Sequence, residues 1–121
     1  DKVVASAAGW YTLPDFTVDF PYGLNHSFVD IDLNNFFAQE LILQIGELDN
    51  DPNSPALRHN NTVDQQGNNR YDRAYYFYDL GMTKAEAINT SFNWQIIETP
   101  NTGHEFEPTI EQAADLLVDL E

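Results

Sequence analysis

The sequence predicts an α/β fold, in which a parallel sheet of about three strands is flanked by helices. Three short apolar runs, at 2–8, 40–45 and 92–98, carry this prediction. Each run is almost continuously apolar rather than alternating, which is typical of strands covered on both faces of a parallel sheet. Helical patterns separate the runs, and strands that alternate with helices imply right-handed crossovers between parallel strands.

Turn-forming residues mark the end of each predicted strand. The first run, KVVASAA, is followed by Gly9, and the second, ELILQI, by Gly46. The third, FNWQIIE, ends just before Thr99-Pro100. Glycine and proline end regular structure because they favour turns, so each apolar run has a defined carboxyl end.

The longest helical pattern covers residues 69–80. Tyr71, Ala74, Tyr75 and Tyr78 recur at helical spacing and would form one apolar face. Gly81 follows this pattern and is predicted to end the helix.

Further helices are predicted from capping signals. The sequence TKAE at 83–86 has the spacing of a capping box and predicts a second short helix there. Thr109 and Gln112 form another such pattern before the last helix, and a shorter helix is predicted over 32–38. The stripe expected to be buried in the last helix consists of Ile110, Ala113, Ala114 and Leu117.

Composition excludes several classes of function. The 121 residues suffice for one domain, and a net charge of −15 repels nucleic acid and anionic membranes alike. No apolar run is long enough for a membrane span, and the first residues do not resemble a signal peptide. Cysteine is absent, which removes disulfides and thiolate chemistry. We therefore expect a protein that binds neither nucleic acid nor membranes.

An acid and a histidine follow two of the predicted strands. Asp49 lies just after the second strand and His104 just after the third. In a parallel sheet, ligands and catalytic groups gather beyond the carboxyl ends of the strands. A carboxylate bound to imidazole Nδ1 prepares Nε2 to activate a hydroxyl nucleophile. The alternative is that Asp49 caps a turn and His104 is an ordinary loop histidine.

Several motifs resemble one known group of proteins. In order along the chain, they are the segment AGWYTLPDFTVDFPYGL and the motifs GELDNDP, QGNNRYDRA and PNTGH. Together they resemble the C-terminal region of a group of bacterial and plant α/β-hydrolase-fold proteins, and the resemblance covers nearly the whole chain. It implies that residues 1–121 form a single, partial domain of that fold.

The resemblance assigns roles to the acid and the histidine. In α/β hydrolases the chain order is serine, acid, histidine, which implies Asp49 as acid and His104 as base. Asp51, two residues further on, is the alternative acid. The nucleophile needs small residues on either side of a serine, but Ser6 has Val4 where glycine is required. The nucleophile and the oxyanion hole are therefore expected in an upstream half, without which this chain is inert.

Other residues are weaker candidates for binding. Arg70 and Arg73 lie one helical turn apart and either clamp a substrate anion or pair with local acids. Trp10 and Tyr11 lie in the loop 10–30, where they either shape an acyl pocket or fill the core of the loop. The acids after residue 48 resemble the start of a calcium loop, but its required glycine and glutamate are missing, so no metal site is expected.

The resemblance to α/β hydrolases also leads to expectations about substrate, location and partners. The intact protein is expected to hydrolyse a small ester-like molecule without a cofactor, in the cytoplasm of a bacterium or as a soluble secreted protein. The first strand is expected to pair with the missing N-terminal half or, in the isolated chain, with another copy. The competing hypothesis is a non-catalytic domain that uses this fold for binding or assembly.

Overall fold

A computed structural model describes residues 2–27, 31–104 and 107–118 of the chain. A three-stranded sheet, three α-helices and one short 3-10 helix make up its regular structure. In chain order, the elements are β1 (Lys2–Ser6), α1 (Leu33–Ala38), β2 (Glu40–Gly46), the 3-10 helix Val63–Gln66, α2 (Arg70–Ala87), β3 (Gln95–Thr99) and α3 (Glu107–Val118).

The sheet is parallel throughout and follows the chain order β1-β2-β3. In the register, Leu43 of β2 lies opposite Ala5 of β1 and Ile96 of β3. This confirms the predicted α/β fold of about three parallel strands with flanking helices. The strand bounds shift by a few residues. For example, β3 begins at Gln95 rather than at Phe92, because Phe92 packs into an aromatic cluster around Trp94.

The central strand is covered on both faces, as its apolar sequence predicted. Leu43 and Ile45 point toward α2 and pack in a core with Phe37, Phe77 and Trp94. On the opposite face, the fully buried side chain of Gln44 is hydrogen-bonded to groups of α3. The sheet therefore lies between α2 and α3, and its carboxyl edge carries the loops that follow each strand.

The predicted break in the long helix is wrong. Helix α2 runs through Gly81 and includes the segment that was expected to start a second helix. A Cβ atom at Gly81 would lie 2.5 Å from the ring of Trp94, so the glycine makes room for a core side chain rather than ending the helix. The hydroxyl of Thr83 donates to the carbonyl of Asp79 at 2.9 Å, as threonine does inside a helix. The helix begins where predicted, at the N-cap Asn69.

Two expectations about the last helix are also wrong. Thr109 is not a cap, because α3 already begins at Glu107. The stripe expected to be buried is largely exposed, with 52% of Ile110 and 45% of Leu117 accessible to solvent. Thr109 and Gln112 instead contact the sheet, since both bind the amide group of Gln44. Polar contacts to one buried glutamine thus decide which face of the helix points inward.

None of the helices that the structure describes is both long enough and apolar enough to span a bilayer.

Candidate active site

An aspartate and a histidine meet at the carboxyl edge of the sheet. Oδ2 of Asp49, after β2, lies 2.9 Å from Nδ1 of His104, after β3. The side chain of Asp49 is only 3% exposed, whereas that of His104 is 46% exposed. The acid is therefore enclosed by the protein while the imidazole remains accessible from solvent.

Backbone contacts bring the two loops together. The amide of Glu47 donates to the carbonyl of Thr99 at 3.0 Å, and that of Leu48 to Thr102 at 2.8 Å. The approach is so close that a Cβ atom at Gly46 would lie 2.4 Å from the carbonyl oxygens of Thr102 and Gly103. Glycine at this position is what allows the aspartate loop to lie against the histidine loop.

The contact fixes the protonation pattern of the imidazole. An ionised carboxylate can only accept hydrogen bonds, so a hydrogen bond between it and Nδ1 of His104 requires the proton to be on Nδ1. In the neutral ring this leaves a lone pair on Nε2. Within the described residues, Nε2 has no hydrogen-bond partner. A ring in this tautomer can accept a proton at Nε2.

Asp51, the alternative acid, is not part of this contact. Its carboxylate accepts a hydrogen bond from the amide of Asn53 at 2.8 Å and so closes a local turn. The residue is exposed, unlike Asp49. Of the two candidate acids, only Asp49 contacts the histidine among the residues described.

Tyr11 lies in the core rather than on a binding surface. It is 7% exposed, and its ring stacks on Phe77 at 4.5 Å. Its backbone amide donates to the side-chain oxygen of Gln66, and its carbonyl accepts from the side-chain amide of the same residue. Its hydroxyl has no partner among the described residues. Burial, followed by the nearby charge of Asp49, raises the pKa of Tyr11. Tyr11 therefore packs in the core near Asp49 and exposes very little surface to a substrate.

The two arginines of α2 are also directed inward. Arg70 lies 3.8 Å from Asp49, with both side chains at 5% exposure or less. Arg73 is fully buried and pairs with Asp64 at 2.9 Å. It also donates to the carbonyls of Gly67, Gly9 and Arg58. This placement does not support the expectation that they clamp a substrate anion, because their donors bind the chain itself. They pair with local acids instead, which was the alternative.

Of the two aromatic residues predicted to bind substrate, Trp10 is the one that is partly exposed. Its ring meets Tyr22 edge-on at 5.0 Å and lies 5.2 Å below the guanidinium of Arg58. Arg58 and Asn60 both donate to the hydroxyl of Tyr22, which lowers its pKa. Trp10 thus belongs to a small surface cluster in the loops at the carboxyl edge of the sheet.

Sequence reasoning missed a polar network beneath the site. Gln44 accepts a hydrogen bond from Ser6 and donates to Gln112 at 2.7 Å, and Gln112 in turn binds Thr99 and the carbonyl of Glu98. The network ties α3 to all three strands and so fixes where the chain returns after His104. The glutamine within the apolar run ELILQI, between Leu43 and Ile45, was the signal that could have revealed it.

The described residues contain no group of three or more His, Cys, Asp or Glu side chains that could hold a metal ion.

No family model matches the sequence, and the comparison with curated proteins gives no match. Solved structures do match. A poly(aspartic acid) hydrolase-1 from Sphingomonas sp. KT-1 is 31% identical, with a TM-score of 0.84 over 95% of this chain. A poly(3-hydroxybutyrate) depolymerase from Bordetella parapertussis is also 31% identical, with a TM-score of 0.90 over 99% of this chain. This chain shares its fold with hydrolases.

The match covers only part of each neighbour. This chain corresponds to 44% of the length of the first and 41% of the second. The likeness therefore supports a hydrolase fold, and the neighbours contain more than half of their length beyond the matching part.

Proposed function

We propose that this chain is the C-terminal part of an α/β hydrolase and supplies the acid and the general base of its catalytic triad. The observation that carries the proposal is the hydrogen bond between the buried carboxylate of Asp49 and Nδ1 of the accessible His104. The contact lies at the carboxyl edge of a parallel sheet, where α/β proteins bind their ligands. The fold shared with two hydrolases supports the same assignment.

The reaction follows from the arrangement of protons. Nε2 of His104 takes the proton of a hydroxyl nucleophile, whose oxygen attacks the carbonyl carbon of the substrate. Asp49 stabilises the imidazolium that forms, and the imidazolium then protonates the leaving alcohol. Water, activated by the same histidine, releases the acid and restores the hydroxyl. The nucleophile and the oxyanion donors come from the remaining part of the intact protein, so this chain alone is inert.

The substrate class is an ester or a related acyl bond. The two structural neighbours are a depolymerase of poly(3-hydroxybutyrate), a polyester, and a hydrolase of poly(aspartic acid), and both polymers are joined by acyl bonds. Of the predicted binding residues Trp10 is the one that is partly exposed, in the loop after β1, and we assign to it the contact with an acyl group. No step of the proposed reaction needs a cofactor.

The proposal is tested by assaying the intact protein that contains this chain with short p-nitrophenyl esters. We expect His104→Ala to lower kcat/KM by about 10⁴-fold or more, because the general base is lost. His59→Ala is the matched control, since His59 also contacts an aspartate but lies elsewhere in the loop after β2. Equal activity of the native protein and the His104→Ala variant would refute the assignment and favour a non-catalytic binding domain.

We further propose that the outer edge of β1 pairs with other polypeptide. Within the described residues β1 has a neighbour only on the side of β2, and Val3 is 52% exposed. An unpaired strand edge is a template for another strand. In the intact protein its partner would be the N-terminal half, and in the isolated 121-residue chain a second copy.

Size-exclusion chromatography of the isolated chain tests the proposed edge. We expect dimers or larger species whose share falls when Val3 is replaced by lysine, because a charge on an edge strand opposes pairing. Ile110→Lys, on the exposed face of α3, is the control for general hydrophobic association. A stable monomer at all concentrations would contradict the proposal.

A further inference from the structure

Arg70 contacts the loop that carries Asp49 at two places. It is the first residue of α2, and its Nη1 lies 3.8 Å from Oδ1 of Asp49. The guanidinium also donates to the hydroxyl of Ser54 and, at 3.1 Å, to the carbonyl of Pro55. At the same helix end, the amide of Tyr71 donates to the backbone carbonyl of Asp49 at 2.9 Å. The backbone and the side chain of the acid are therefore both anchored to the start of α2.

The environment of Asp49 creates a need for a permanent positive charge. Its carboxylate is almost completely buried, and a buried charge without a partner is strongly unfavourable. A neutral imidazole gives a hydrogen bond but no charge. An arginine is always protonated in proteins, and among the described residues Arg70 is the only such cation in contact with Asp49.

The two oxygens of the carboxylate face different partners. Oδ2 faces His104 at 2.9 Å, and Oδ1 faces Arg70 at 3.8 Å. This division limits rotation of the carboxylate, since turning Oδ2 away from the imidazole would also remove Oδ1 from the guanidinium. Arg70 has no direct contact with His104 in the structure, so any influence on the imidazole passes through Asp49.

We propose that Arg70 is a positioning residue, which supplies the permanent countercharge of Asp49 and fixes the direction in which this carboxylate faces His104. The inference rests on the proposed hydrolase function and goes beyond it, because it makes the triad depend on a buried arginine behind the acid. Arg70 would not touch the substrate, so it should affect the chemical step and leave substrate binding unchanged.

Kinetics of the intact protein test the role in the reaction. We expect Arg70→Met to lower kcat on the order of 100-fold, as for a slightly misplaced catalytic group, with KM unchanged. Arg70→Lys, which keeps the charge, should restore part of kcat. Arg73→Lys is the matched control one turn further along α2, where the arginine pairs with Asp64 instead, and it should leave kcat unchanged. A native kcat in Arg70→Met would overturn the inference while leaving the proposed function in place.

A double-mutant cycle tests the same link without any activity. The free energy of unfolding is measured for Arg70→Met, for Asp49→Asn and for the double variant. We expect Arg70→Met to destabilise the native protein more than the Asp49→Asn variant, because the neutral amide needs no countercharge. Additive effects would overturn the inference and reduce Arg70 to a support for Ser54 and Pro55. If the native protein hydrolyses no ester, the hydrolase proposal fails and the cycle alone decides the link between Arg70 and Asp49.

Discussion

The chain contains two histidine–aspartate pairs that look alike in distance but differ in surroundings. Nδ1 of His104 lies 2.9 Å from Asp49, and Nδ1 of His59 lies 2.7 Å from Asp64. In the first pair the acid is buried, whereas in the second both side chains are about two-fifths exposed, at 41% and 39%. Nε2 of His59 also contacts the carbonyl of Pro52 at 2.7 Å. Both nitrogens of His59 therefore face acceptors, while His104 leaves Nε2 open among the described residues.

This difference shows why a short histidine–aspartate distance does not by itself indicate catalysis. The hydrogen bond to the Asp64 carboxylate, followed by that to the Pro52 carbonyl, raises the pKa of His59, because both acceptors favour the protonated ring. A ring held in this way joins parts of a loop and has no free lone pair for a nucleophile. In His104, by contrast, Nδ1 faces the buried carboxylate of Asp49 and Nε2 is accessible. A general base needs such an accessible nitrogen.

Replacing the acid of each pair should give the largest difference in activity between the two pairs. Asp49→Asn in the intact protein is expected to lower ester hydrolysis by about 10⁴-fold, because the amide no longer selects the tautomer with a free Nε2. Asp64→Asn, the matched change in the other pair, should reduce stability with little effect on kcat. Similar kcat values for the two variants, measured with p-nitrophenyl esters, would show that the pairs do not differ in function.

A methyl group at Gly46 should disrupt the contact between His104 and Asp49 and leave that between His59 and Asp64 intact. Gly46→Ala places a Cβ atom against the carbonyls of Thr102 and Gly103 and pushes the His104 loop away. We expect a loss of stability of about 1–3 kcal/mol and a fall in activity on the order of 100-fold. Gly9→Ala is the control, because nothing lies within 4 Å of its Cβ position. Denaturant unfolding and ester assays of both variants provide the measurement, and native activity in Gly46→Ala would contradict the assigned loop contact.

The smallest expected effect is the pH dependence of the exposed pair. The folded state raises the pKa of His59, so the pair stabilises the protein fully below the unfolded value of 6.5. This contribution is lost as the pH rises through the folded pKa. The Tm of His59→Gln should therefore fall below that of the native protein in acid, and the gap should narrow in alkali. A difference in Tm that grows as the pH rises would contradict the prediction.

The sequence predicted the sheet and the pair of site loops because both depend on local patterns. Continuous apolar runs identify buried parallel strands, and residues after such strands meet at one edge. The continuation of α2 through Gly81 could not be predicted in this way, because the reason for that glycine is the ring of Trp94, which is distant in the sequence. The inward face of α3 likewise depends on Gln44, 65 residues before Thr109.

Burial was the part of the site that the sequence could not supply. Asp49 and Asp51 are the same residue type two positions apart, and only the fold shows that one is buried and the other exposed. The same holds for the arginines. Their helical spacing predicted a shared face, but whether that face meets solvent or the protein interior depends on loops that cover it. Only the tertiary contacts therefore distinguish the charged residues that have a structural role from those that belong to the proposed site.

The state of the two imidazole rings can be observed directly by ¹⁵N NMR of the intact protein at alkaline pH. The proton of neutral His104 should reside on Nδ1, with Nε2 unprotonated, and Asp49→Asn should remove this preference while Asp64→Asn leaves it unchanged. A proton found on Nε2 of His104 in the native protein would contradict the account, because that nitrogen could then accept no proton from a nucleophile.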